Sequence, residues 1–303
     1  MVKYDHSISL CLLAIHILII CFAANSADID VYVGRLDADI YYDFAKIFTA
    51  LQHLLSIFDD HQFEISALRI IIILIFFIAA IRSKSPLAFL FLLHPVVILT
   101  THNSIRQGLA LALMLAAFTV VRISFTKLLL FLSVVFSHIS GIFGLAAVGI
   151  FTIIRYDKNK IRVLFLLFFG TLMFVSAINF VETILEAVGK QGYLRQEKFT
   201  GGRFNSTVKG LYFFVLAFAP IVLSRLGKYR VSDITRLIIF TSVGILISLN
   251  IATDGIMRIA YFLLLADFFY FLTKEPRPAT RKILTFLHLS NPSGATLLWK
   301  IIG

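Results

Sequence analysis

Ten apolar runs follow one another along this chain, at residues 8–24, 65–81, 86–100, 105–121, 123–137, 141–154, 161–178, 209–226, 237–252 and 257–272. Each approaches the ~20 residues that a helix needs to cross a bilayer, although several fall short. Between them 59% of all residues are hydrophobic, only 15% are charged, and the mean hydropathy is +0.92. A soluble domain of 303 residues has nowhere to hide so much apolar surface, so the solvent must be lipid. The expectation is an all-α polytopic membrane protein with about ten transmembrane helices, forming a single integral domain over residues 1–303. No repeat, low-complexity linker or soluble domain interrupts it.

The first run admits two readings. "MVKYDHSISLCLLAIHILIICFAANSA" has a lysine, an apolar centre and a small-residue end, as a cleavable signal does. The centre is long for a signal, so a first transmembrane helix is favoured, and either reading delivers the segment after it to the outside. Cys11 and Cys21 both lie in this run and indicate neither a disulfide framework nor a metal site.

The basic residues set the orientation. The formal charge of +11 is not the signature of nucleic-acid binding here, because the cations fall in short clusters between apolar runs. The clusters are Arg82/Lys84, Arg122/Lys127, "RYDKNKIR", "RLGKYRVSDITR" and "KEPRPATRK", on every second connection. Both termini are then cytoplasmic, and residues 273–303 form a cytoplasmic tail. Residues 123–154 have basic clusters at both ends, so they form a hairpin with Ser137-His138-Ile139-Ser140 at its outer apex.

The outer side has its own chemistry. The first external loop, about residues 25–64, carries Asp28, Asp30, Asp37, Asp39, Asp43, Asp59, Asp60 and Glu64 against Arg35 and Lys46. Its stretch "YYDFAKIFTALQHLLSIF" has helical apolar spacing and suits a helix lying along the membrane plane. The second loop, residues 179–207, carries Arg195 and Arg203, the latter in Gly-rich "FTGGRF". Two tight turns, "THNSIR" and "TDGIMR", each end in an arginine that opens an inward-going helix, Arg106 and Arg258. A guanidinium fork beside free helix N–H groups suits a phosphate or diphosphate. The plainer use of each arginine is to snorkel to head groups or pair with the acidic loop. Arg69 is the one charge inside an otherwise uncharged span.

Known soluble motifs are absent: there is no P-loop, G-x-G-x-x-G, H-E-x-x-H, C-x-x-C or G-x-S-x-G. Asp28/Asp30 and Asp37/Asp39 form D-x-D pairs, which hold a divalent cation through oxygen or supply a general base. His102 and His138, at separate outer turns, are candidate donors, proton carriers or caps, and His16 is structural or lipid-facing. Tyr41, Tyr42 and Tyr193 read as interfacial belt residues. No metal and no cofactor is expected, with a divalent cation left open by the D-x-D pairs.

The order of "D-x-Y-Y-x-x-F" (Asp39 to Phe44), "HNSIRQGLALALMLAAF", "SHISGIFGLAAV" and a late "RIAYFLLL" resembles the EpsG family of Wzy-like bacterial polysaccharide polymerases. The resemblance covers about residues 37–272 and is most specific at Ile105-Arg106-Gln107, with Ser137-His138-x-Ser140 about thirty residues later. It implies a multi-pass protein of the bacterial inner membrane, similar to GT-C glycosyltransferases, with its active site open to the periplasm or exterior. Its members join oligosaccharide repeat units carried on undecaprenyl diphosphate. The resemblance also implies a chain-length regulator and a flippase of the same pathway as partners.

On that expectation Arg106 and Arg258, aided by Gln107 and by Arg195 and Arg203 on the second external loop, clamp the diphosphate. His138 or Asp39 takes the acceptor proton. Two departures stand out: the chain lacks the further apolar spans usual after the late arginine helix, and "RIAYFL" has a sparser aromatic pattern than expected. The rival readings are a flippase or transporter of lipid-linked oligosaccharide, an O-antigen ligase, and a membrane acyltransferase. The last requires a deeply set His with an Asp or Asn partner.

Overall fold

The computed structural model describes residues 7–22, 30, 32–34, 46–58, 60–83, 85, 87–120, 125–138, 140–156, 202–223, 231–249, 253–274 and 278–292. They form helices α1 (Ser7–Phe22), α2 (Lys46–Leu55), α3 (His61–Arg82), α4 (Pro95–His102), α5 (Ile105–Thr119) and α6 (Phe125–Ser137). After these come α7 (Ser140–Tyr156), α8 (Gly202–Leu223), α9 (Val231–Ser248), α10 (Thr253–Lys274) and α11 (Pro278–Leu289). Single 3-10 turns occupy Ser56–Phe58 and Ala88–Phe91, and there is no strand among the described residues. The apolar run at residues 161–178 lies outside them.

Helix surfaces are apolar where those of a water-soluble protein are polar. On α8, Leu211, Val215, Phe218 and Val222 are exposed at helical spacing. Leu128, Leu129, Leu132 and Phe136 do the same on α6, and Ile8, Ile15, Leu18 and Phe22 on α1. Stripes of this kind suit contact with lipid. Two described helices, at His61–Arg82 and Gly255–Thr273, are long and apolar enough to cross a membrane.

Local chemistry explains where the helices start and stop. Asp60 caps α3, its Oδ1 accepting from the N–H groups of Gln62 at 2.9 Å and Phe63 at 3.2 Å. The run at residues 86–100 is not one span: a 3-10 turn at Ala88–Phe91 precedes the 8-residue α4. Pro95 lacks an N–H and cannot continue a helix from behind, so the chain restarts there with His94 as its cap. Residues 278–289 form α11, which ends in the buried His288.

The chain divides into two compact units, Met1–Leu145 with Leu264–Pro276 and His288–Gly303, and Ala146–Leu263 with Arg277–Leu287. In the first, α3 buries Ile65, Leu68, Ile72, Ile73, Phe76, Ala79 and Ala80 on one stripe. α1 and α5 pack against α3, α6 against α5, and α2 against α3 and α6. Gly108 makes the α4–α5 hairpin possible, since a Cβ there would lie 2.6 Å from Thr100 O. Gly141 plays the same part where α7 folds back on α6, 2.5 Å from Val134 O. In the second unit α8 and α9 pair through small residues, a Cβ at Gly244 falling 3.2 Å from Gly210 O. Phe213 stacks on Phe240 with ring centroids 6.0 Å apart beside that crossing.

Candidate functional site

The "HNSIR" turn joins α4 to α5 and carries two of the polar groups that the sequence singles out, His102 and Arg106, with a third, Gln107, next in the chain. α4 stops at His102, and Ser104, at the N-cap position of α5, makes no side-chain cap bond. Arg106 is therefore in the first helical turn, where backbone N–H groups are free of intrahelical partners. It is half-buried, its Nε donating to Tyr32 Oη at 3.4 Å and its guanidinium lying 5.6 Å from the centre of the Tyr32 ring. Tyr32 in turn packs on Phe48 of α2, 6.0 Å between ring centroids. Tyr32 and α2 thus cover one side of the arginine. Gln107 is buried and projects about 100° around the helix from Arg106, so it faces the packed interior.

Behind the turn runs a buried chain of hydrogen bonds whose direction can be worked out. His16 Nε2 donates to Leu92 O at 2.9 Å, which leaves His16 Nδ1 as an acceptor. His102 Nε2 donates to that Nδ1 at 3.0 Å, which leaves His102 Nδ1 to accept. Arg69 NH2 supplies the bond at 3.1 Å. One set of tautomers, both imidazoles neutral, satisfies all three contacts. His16 is thus buried and structural rather than lipid-facing, and His102 has no ring nitrogen left for proton transfer. α1, α3 and α4 are tied together by it, and His102 stands four residues from Arg106.

His138 sits in the corner between α6 and α7, where the sequence places a hairpin apex, and is buried. Its Nδ1 accepts from Ser140 N at 3.1 Å and contacts Ser140 Oγ at 2.7 Å, capping α7. With Nδ1 an acceptor, the proton is on Nε2, so this imidazole presents a donor rather than a base. Arg106 and Arg258, alike in sequence, differ in the fold. α10 begins at Thr253, so Arg258 is well into the helix and past its free N–H groups. Arg258 belongs to the second unit, Arg106 to the first. Asp28, Asp37, Asp39, Asp43, Tyr41, Tyr42, Tyr193 and Arg195 lie outside the described residues, as does the side chain of Arg203.

Two features have no clear signal in the sequence. Glu64, in the first turn of α3, is 1% exposed; its Oε1 lies 3.3 Å from His61 Nδ1 and its Oε2 has no hydrogen-bond partner. The other is a second histidine chain. The Val96 N–H donates to His94 Nδ1 at 3.2 Å, His94 Nε2 to His288 Nδ1 at 3.3 Å, and His288 Nε2 to Asp267 Oδ2 at 2.9 Å. Phe91, Phe268 and Phe271 enclose it. It offers the deeply set His–Asp pair that an acyltransferase requires, but every ring nitrogen is already engaged. The only local hint is the His94-Pro95 start of α4; nothing near it in the sequence points to Asp267 or His288.

Among the described residues no group of His, Cys, Asp or Glu is placed to hold a metal ion. No curated protein and no solved structure matches the chain. The model of the EpsG family matches residues 7–289, which takes in every described helix from α1 to α11. Together with the lipid-suited helix faces, this points to a polymerase-like membrane protein of polysaccharide biosynthesis. The chain belongs to the EpsG family.

Proposed function

We propose that the protein is a membrane glycosyltransferase that polymerises oligosaccharide repeat units carried on undecaprenyl diphosphate, working at the outer face of the bacterial inner membrane. In this reading the chain crosses the membrane about ten times with both termini inside. The growing glycan leaves its lipid diphosphate and joins a hydroxyl of the next lipid-linked unit. One glycosidic bond forms, the bond from sugar to diphosphate breaks, and the hydroxyl proton passes to a base. Departure of the diphosphate concentrates negative charge, which fixed guanidinium groups stabilise.

The observation that carries this reading is Arg106, half-buried in the first turn of α5 and braced on Tyr32. Arg258, Arg195 and Arg203 are further candidates for substrate binding, and Gln107 supports the helix from inside. The base is more readily a carboxylate, Asp39 or Glu64, because His138 spends its acceptor nitrogen on α7. His138 then serves to cap α7. No cofactor is needed by this mechanism. The chain-length regulator and flippase of the pathway are its expected partners.

A flippase of the same lipid-linked units, or an O-antigen ligase, is the alternative. The deciding experiment is the surface glycan of a deletion strain, run on a gel, with and without the Arg106→Ala gene restored. A polymerase predicts single repeat units at the surface, no ladder, and no rescue by Arg106→Ala. Loss of the single units as well favours a flippase or ligase, and an unchanged ladder contradicts the proposal.

A further inference from the structure

Arg69 is on the packed stripe of α3, beside Leu68 and Ile72, and is only 2% exposed. It lies about 12 Å along the axis from the His61 end of a helix long and apolar enough to cross a membrane. NH2 donates to His102 Nδ1 at 3.1 Å, whereas Nε and NH1, both buried, have no hydrogen-bond partner. No carboxylate among the described residues pairs with it. A guanidinium so placed is costly, and an apolar side chain of similar volume would pack there at less cost. Folding alone does not account for this charge.

The surroundings indicate what does. His102, which Arg69 holds, begins the turn that ends at Arg106, and four residues separate two Cα atoms by at most about 14 Å. Arg69 and Arg106 are thus tied to the two ends of one short turn, Arg69 through its bond to His102 and Arg106 by its place in the first turn of α5. Arg69 shares the buried stripe of α3 with Ile65, Leu68 and Ile72, and these apolar neighbours favour a ligand that is anionic at one end and apolar at the other. We propose that Arg69 is a second cation of the lipid diphosphate site, taking the phosphate nearest the lipid chain while Arg106 takes the other. This rests on the reading of Arg106 given above. His102 is the positioning residue that keeps the Arg69 fork turned toward the turn.

The test uses the full-length protein in detergent, with farnesyl diphosphate and inorganic diphosphate as probes. Wild type, Arg69→Met, Arg69→Lys and Arg106→Gln are compared by equilibrium binding and by ligand-free thermal unfolding. The expected result is that wild type binds farnesyl diphosphate more tightly than inorganic diphosphate. Arg69→Met weakens binding about tenfold or more, and Arg69→Lys weakens it less. Arg69→Met also melts higher than wild type without ligand, since it removes an uncompensated buried charge. A methionine variant that melts lower, or fails to fold, shows a structural arginine and overturns the proposal. Unchanged affinity in that variant overturns it too, while a loss in Arg106→Gln leaves the reading of Arg106 standing. Equal affinity for the two probes overturns the lipid assignment. No binding of either probe by wild type removes the reading of Arg106 and this one with it.

Discussion

His102 Nε2 donates to His16 Nδ1 at 3.0 Å, with the two rings nearly parallel and their centroids 5.3 Å apart. The bond joins residues 86 positions apart and fixes the α4–α5 turn to α1. His16→Leu strands the buried His102 donor and is expected to cost about 1–3 kcal/mol of stability. The double variant His16→Leu/His102→Leu is expected to lose less than the sum of the single losses. Thermal unfolding of the four proteins in detergent checks this, and strict additivity would refute the coupling.

Glycine spacing sets a second expectation. Gly108→Ala places a methyl group 2.6 Å from a backbone carbonyl oxygen, Thr100 O, and Gly141→Ala does so at 2.5 Å from Val134 O. Both are expected to unfold at clearly lower temperature, by about 1–3 kcal/mol, because backbone yields less readily than a side chain. Gly149→Ala meets nothing within 4 Å and serves as the neutral control.

At His138 capping and acid–base work can be separated. Asparagine is a good helix cap, so His138→Asn is expected to keep the fold and most of the activity. His138→Ala removes the Nδ1 acceptor of Ser140 N and is expected to cost about 1 kcal/mol. A well-folded but inactive His138→Asn protein would instead return the proton-transfer role to the imidazole.

Asp267→Ala deprives His288 Nε2 of its acceptor at the end of the second chain. The expected effect is a loss of about 1–3 kcal/mol and faster trypsin cleavage beside Arg281 and Lys282 in α11. Digestion at wild-type rate would show that α11 is held by other contacts.

Arg106→Lys is expected to fail nearly as badly as Arg106→Ala in restoring a glycan ladder. A lysine offers a point charge in place of a planar fork. A fully active lysine variant would mean simple head-group anchoring.

The helices of this fold are legible in the sequence because long apolar runs leave the backbone few options, and α3, α5, α6 and α7 fall close to where those runs place them. The run at residues 86–100 misleads because hydropathy does not register that Pro95 restarts a helix. Helix α11 escapes notice because its apolar stretch is short: Leu284, Leu287 and His288 are buried on one face, but Arg281 and Lys282 precede them and no run of spanning length marks the helix. The site divides in the same way. Arg106 is visible from the local signal of a turn leading into a helix. The partner of Arg69, His102, is 33 residues away along the chain, and only packing brings His102 to Arg69 and to His16. Arg258 looks equivalent to Arg106 in sequence because "TDGIMR" hides a helix that has already begun at Thr253.

The most direct test of the central claim is reconstitution of the purified protein in liposomes with lipid-diphosphate-linked repeat units and no other protein. A polymerase is expected to make lipid-linked products two or more repeats long, to release polyprenyl diphosphate in matching amount, and to do neither with Arg106→Ala. Repeat units that cross the bilayer without lengthening would contradict the claim and identify a flippase instead.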